Sequence, residues 1–230
     1  MDIHRPKAAH SIREFLIEIG TIICGILIAL GLEQGIEWLH WNHTVEVARE
    51  GLREEMAFDD GFLRIRLTIA PCVERRLAAL DKVIAEATVT GRIGEVEKGN
   101  FNLSGQLDYN QWTSERSSQS LTHFPHAELT ELNRYYSVIE TYKQRWLANE
   151  DDDWIGLSGL QTGPRQISSE ELAQMRYRLQ SARWIERTLL ITARRNLDIS
   201  ARLGVKPKDR PGNDLASRTC GGVTPAVVIN

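Results

Sequence analysis

Cysteine is scarce in these 230 residues, at three, which excludes a disulfide-dense secreted scaffold. A surplus of positive charge is missing as well. Lys and Arg number 28 against 31 Asp and Glu, for a formal net charge of -3, and no nucleic-acid partner is expected of a chain so balanced. Signatures of chemistry are absent: there is no Gly-rich phosphate loop, no nucleophile elbow, no CxxC or CxxCH and no HExxH. Long apolar runs are lacking too, with one exception, so a polytopic membrane protein is excluded. What remains is 42% hydrophobic and 26% charged, with a mean hydropathy of -0.31, the profile of one or two ordinary domains.

The exception is FLIEIGTIICGILIALGLEQGI, Phe15 to Ile36, in which 14 of 22 residues are hydrophobic and Ile19 to Leu32 carry no charge. At a rise of 1.5 Å per residue a helix of that length spans about 33 Å, against roughly 30 Å of bilayer hydrocarbon. A retained anchor is expected rather than a cleaved signal, because the only small-x-small site, Ala29-Leu30-Gly31, lies within the run itself. Cys24 is preceded by Thr21-Ile22-Ile23, with no small residue before it, so a lipoprotein signal does not fit. Arg5, Lys7 and Arg13 precede the run, whereas only Arg49 follows it closely. Positive charge stays inside, which predicts a cytoplasmic segment 1–14, a transmembrane helix 15–36 and everything later outside a bacterial inner membrane, in the periplasm. Trp38 and Trp41 then form the outer aromatic belt, and the cytoplasmic end is too short to fold.

Glu18 shares a helical stripe with Thr21, Gly25 and Ala29. Small residues at three- and four-residue spacing allow helices to approach closely, so this stripe is expected to face another membrane protein or a second copy of the chain. The alternative is that Glu18, one turn from the cytoplasmic end, snorkels to the interface.

Beyond the anchor, helical periodicity dominates and no strand is expected. Val45, Ala48, Leu52, Met56, Phe62, Ile65 and Ile69 predict that the membrane helix continues outward and ends before Pro71. Pro71 opens a second helix with Val73, Leu77, Leu80, Ile84 and Ala87 inward. A flexible loop follows over 89–111, then a short helix from Trp112 to Leu121. Another helix begins at His126 and is closed by the acidic run Glu150 to Asp153. Ser168 and Ser169 cap a last long helix that stops at Gly204. The fold class is therefore all-α, with one transmembrane helix extending into an extracytoplasmic bundle of about four to five helices over 37–204, and an extended tail over 205–230. The last helix carries Arg176, Arg178, Arg183, Arg187, Arg194, Arg195 and Arg202, expected either to face the acidic first helix (Glu46, Glu50, Glu54, Glu55, Asp59, Asp60) or to solvate a surface.

Candidate sites are few. Cys72 and Cys220 lie on the same oxidising side and are candidates for a disulfide, the alternative being two separate thiols. His40/His43 and His123/His126 have a spacing that suits metal ligands, and Glu37-x-x-His40 copies half of a di-iron bundle motif. No second copy exists and Pro125 interrupts the later pair, so neither a metal nor a cofactor is expected. Asn42 and Asn102 match glycosylation acceptors. No catalytic residue stands out.

Glu18, the run Gly25-Ile26-Leu27-Ile28-Ala29-Leu30, Gln34 and Trp41-Asn42, with Trp112 through Ser118, Leu121 and Tyr135-Tyr136, make residues 13 to 140 resemble a widespread group of uncharacterised bacterial single-pass inner-membrane proteins. That resemblance implies an N-terminal anchor and a helical domain outside the membrane, and supplies no activity. The expected function is non-enzymatic: an accessory or scaffold subunit of a larger membrane complex. Two alternatives remain. An energy-transducing protein would use Glu18 as an ion carrier, and normal function of Glu18→Gln would exclude it. A ligand-sensing bundle would line a pocket with Trp112, Tyr135, Tyr136, Trp146, Trp154 and Trp184.

Overall fold

A computed structural model describes residues 12–96, 107–206 and 208. Among these the chain is all-α apart from two short strands. Helix α1 is Ile12–Thr90, α2 Asn110–Ser117, α3 His126–Thr141, α4 Ala148–Leu157 and α5 Ser169–Arg202. A π-helical turn, Tyr142–Leu147, joins α3 to α4 without a break. The strands, β1 Arg92–Ile93 and β2 Arg165–Gln166, pair antiparallel. The chain divides into two units, Met1–Ala48 and Arg49–Asn230.

In the first unit α1 is long and apolar enough to cross a bilayer. Its large side chains are uncovered: Ile28 and Leu32 each expose 65% of their surface. A Cβ placed on Gly20, Gly25, Gly31 or Gly35 would meet nothing within 4 Å. Thr21 donates its hydroxyl to the Ile17 carbonyl of its own helix.

In the second unit α1 is the central element, and it does not end before Pro71. One helix runs through the proline to Thr90. A proline inside a helix removes one backbone hydrogen bond and crowds the preceding turn, at a cost of about 3 kcal/mol. Packing on both sides outweighs that cost here. Ile65 and Ile69 before it, and Val73, Leu77, Leu80, Ile84 and Ala87 after it, belong to one core with Trp154, Leu157, Leu179 and Ala182. The helix stops instead at Gly91, whose φ of 64 is left-handed and whose N–H returns to the Ala87 carbonyl.

The acidic run also behaves differently from expectation. The helix continues past Glu150 and Asp153 to Leu157 because both carboxylates point inward beside Leu147 and Trp154. The expected short helix ends at Ser117, and a 3₁₀ turn, Ser120–His123, takes over. The segment expected as a loop contains β1, which pins its start to β2. At α5 the expectations hold locally: Ser168 accepts from the Glu171 N–H at the N-terminus, and Gly204 stands just past the end with φ 73. Of the tail, Val205 is buried and the Lys208 N–H donates to the Ala57 carbonyl.

Contacts fix the helix directions. Tyr136 donates to the Leu52 carbonyl, Tyr135 to that of Met56, and Arg66 meets Glu150, so α3 and α4 run the same way as α1. Ser200 meets Asp60 while Arg176 meets Thr88, so α5 runs opposite.

Candidate functional site

Where the three long helices of the second unit meet, the core turns polar. α1 contributes Asp59, Asp60 and Arg66, α3 contributes Tyr135, the π turn Tyr142, α4 Glu150 and Asp153, and α5 Glu186, Asn196 and Ser200, all buried. Charged groups reach full burial only when they are paired, because desolvating an isolated ion is prohibitive. The pairing is compact: one guanidinium nitrogen, Nη2 of Arg66, donates to Glu150 Oε1 at 2.7 Å and to Glu186 Oε2 at 2.5 Å.

With both carboxylates ionised this triad carries one net negative charge in a medium of low dielectric. Burial therefore pushes Glu186 up to about 7, with Arg66 opposing and Glu150 and Glu74 adding to the rise. Arg66 is held firmly protonated by Glu150 and Glu186 against its own desolvation, and burial raises the Tyr142 hydroxyl beside it. About four turns of α5 farther on, Asp60 accepts from the Tyr135 hydroxyl at 3.1 Å and from Ser200. Burial raises Asp60 to about 6 in spite of Ser200, Tyr135 and Arg64, which favour its ionised form. Two buried carboxyls thus titrate near neutrality.

The sequence-expected sites fall elsewhere. Glu18, Thr21, Gly25, Ala29, Trp38 and Trp41 all lie on the first unit's helix, where Trp41 donates to Glu37 at 3.4 Å and meets the His40 ring edge-on. Among the described residues no three His, Cys, Asp or Glu side chains are arranged to hold a metal. Cys24 is a free, exposed thiol, whereas Cys72 is buried and disulfide-bonded, with Arg75 donating to its sulfur at 3.4 Å. Cys220 and Asn102 lie outside the described residues. If Cys72 pairs with Cys220, alkylation of unreduced, unfolded protein labels one cysteine, and labelling of all three by mass spectrometry would refute that pairing.

The arginines of α5 do not face the acidic residues expected on α1. Arg178 pairs with Asp153, Arg183 with Asp81 and Arg202 with Glu131. The buried face of α5 is instead Leu179, Ala182, Ile185, Glu186, Leu189, Ala193, Asn196 and Ser200. The acids of α1 have other uses: Glu55 accepts from the N–H groups of Gln111 and Trp112, capping α2, and Asp59 accepts from the Asp108 N–H.

Four of the six aromatic residues proposed for a pocket form core, while Trp184 is exposed and meets the half-buried Trp146 edge-on. Tyr135, Tyr136, Trp112 and Trp154 are buried, and Trp112 stacks on Tyr136 with ring centroids 4.7 Å apart. Two cavities are lined by other residues. One, between Arg49, Leu52, Met56, Phe124, Leu132 and Leu203, holds about 10 Å³, room for no more than a water molecule. The other is an open groove of about 520 Å³ between α3 and α5, lined by four arginines and Asp198, Ile191 and Ile199.

No family model, curated protein or solved structure matches this chain.

Proposed function

We propose that the chain is a single-pass protein of a bacterial inner membrane, with its N-terminus inside, and that its helical domain acts in the periplasm as an accessory or scaffold subunit of a larger complex. One observation carries this reading. From Ile12 to Leu39, α1 leaves its large apolar side chains uncovered, Ile17 at 60% and Leu27 at 61% among them. In water such a surface is unfavourable by roughly 25 cal/mol per Å² of apolar area, so it belongs in lipid or against another helix. The charge asymmetry of Arg5, Lys7 and Arg13 against Arg49 supports the orientation. The stripe of Glu18, Thr21, Gly25 and Ala29 is the surface through which the helix is proposed to assemble.

Extraction of the native protein in a mild detergent tests this. The expected result is a particle larger than a monomer, containing either a co-purifying membrane protein or a second copy. A lone monomer would overturn the reading. Gly25→Leu sharpens the measurement, because a Cβ at Gly25 meets nothing within the chain. Its expected effect is loss of the larger particle with an unchanged melting temperature of the helical domain.

A further inference from the structure

The open groove between α3 and α5 has a chemistry that the scaffold reading leaves unused. Arg134 on α3 and Arg194, Arg195 and Arg202 on α5 line it, with Asp198 and the apolar Ile191 between them. Glu131 holds two of these guanidiniums in place, accepting from Arg134 at 2.6 Å and from Arg202 at 2.6 Å. Among the described residues, Arg194 and Arg195 make no ion pair. Four guanidiniums against Asp198 and Glu131 leave a surplus of two positive charges at one place on a chain whose formal net charge is -3. Ile191 is 66% exposed at the groove wall.

We propose that this groove binds a carboxylate-rich, partly apolar peptide segment of a partner protein. Arg194 and Arg202 stand eight residues apart on one helix, about 12 Å along its axis, which is farther than a single phosphate or carboxylate can bridge. A peptide presents several acidic side chains over that distance, each able to take a guanidinium in the forked geometry that arginine favours. Ile191 gives an apolar side chain of the same segment a place to sit. A nucleic acid fits poorly, since its phosphates would meet the acidic residues that dominate the chain's net charge. The inference deepens the scaffold reading and rests on it, by assigning the outward domain its own contact with a partner.

The test uses the full chain in a nonionic detergent and a fluorescent peptide of roughly twelve residues, Glu-rich with two central leucines, long enough to cover the groove. Anisotropy is expected to report binding that weakens with salt. Arg194→Glu with Arg195→Glu is expected to weaken it about tenfold or more, whereas Arg187→Glu, an exposed position on α5 outside the groove, changes it less than about twofold. Circular dichroism melts check that the variants fold. Four results would overturn the proposal: no binding, equal loss with Arg187→Glu, displacement of the peptide by inorganic phosphate at matched ionic strength, or Arg194- and Arg195-dependent binding of anionic phospholipid vesicles without binding of the peptide. A larger native particle without peptide binding removes only the groove, and peptide binding by a lone monomer removes only the complex.

Discussion

Arg66→Met is expected to lower the unfolding free energy by about 3–5 kcal/mol, the loss seen when one partner of a buried ion pair is removed. The substitution leaves Glu150 and Glu186 facing each other inside the core with no cation between them. Methionine fills nearly the same volume, so the deficit is electrostatic rather than a cavity. Replacing all three, with Arg66→Met, Glu150→Leu and Glu186→Leu, is expected to restore stability to the starting level or above it, because the desolvation cost vanishes with the charges. Denaturant midpoints of the parent chain, the single variant and the triple variant decide the matter. A destabilised triple variant would mean that the triad is held for its hydrogen bonds rather than tolerated for its charges.

Raising pH from 5.5 to 8 is expected to destabilise the helical domain. Asp60 is held at about 6, above its ordinary 3.8, and Glu186 at about 7, above 4.5. Between those limits the native state keeps protons that the unfolded chain has released, so stability is greatest below the ordinary values and declines as pH passes through 6 and 7. For Asp60 alone the full decline, from below 3.8 to above 6, is on the order of 3 kcal/mol, of which roughly a quarter falls above pH 5.5. Arg134 and Arg202 hold Glu131, and Arg165 holds Glu171, below the usual carboxylate range, which acts in the opposite sense; both are surface pairs and contribute little. Glu186→Gln is expected to flatten the upper part of the profile, and Asp60→Asn the lower part. Unfolding midpoints that rise between pH 5.5 and 8 would contradict this assignment.

The apolar positions of the bundle were legible in the sequence because they obey one period. Leu52, Met56, Leu77, Leu80, Ile84, Leu179 and Leu189 are buried where their spacing puts them. The polar layer obeys that same period and was hidden by its own chemistry. Phe62, Arg66, Ile69 and Val73 step by four, three and four residues, and Ala182, Glu186, Leu189, Ala193, Asn196 and Ser200 do likewise. A reading that assigns charge to the surface removes Arg66 and Glu186 from a stripe to which their spacing assigns them. Glu150 and Asp153 were misread as a helix terminus for a similar reason, since a run of acids resembles a solvated end until a buried cation is found for it. Pro71 shows the complementary limit: a local helix breaker is decided by packing contributed from residues 80 and more positions away, which no window of neighbouring residues contains.

The triad also limits how the helices can slide. A slip of α5 by one turn, 5.4 Å along its axis, would carry Glu186 off Arg66 and Ser200 off Asp60 together, while the leucine and alanine positions of α5 would still find apolar neighbours. Hydrophobic packing alone tolerates such neighbouring alignments, whereas the ionic and hydroxyl contacts are met in a single one. The layer thus acts as a detent with two teeth, and the triple variant removes the ionic one while Ser200 on Asp60 still marks the alignment.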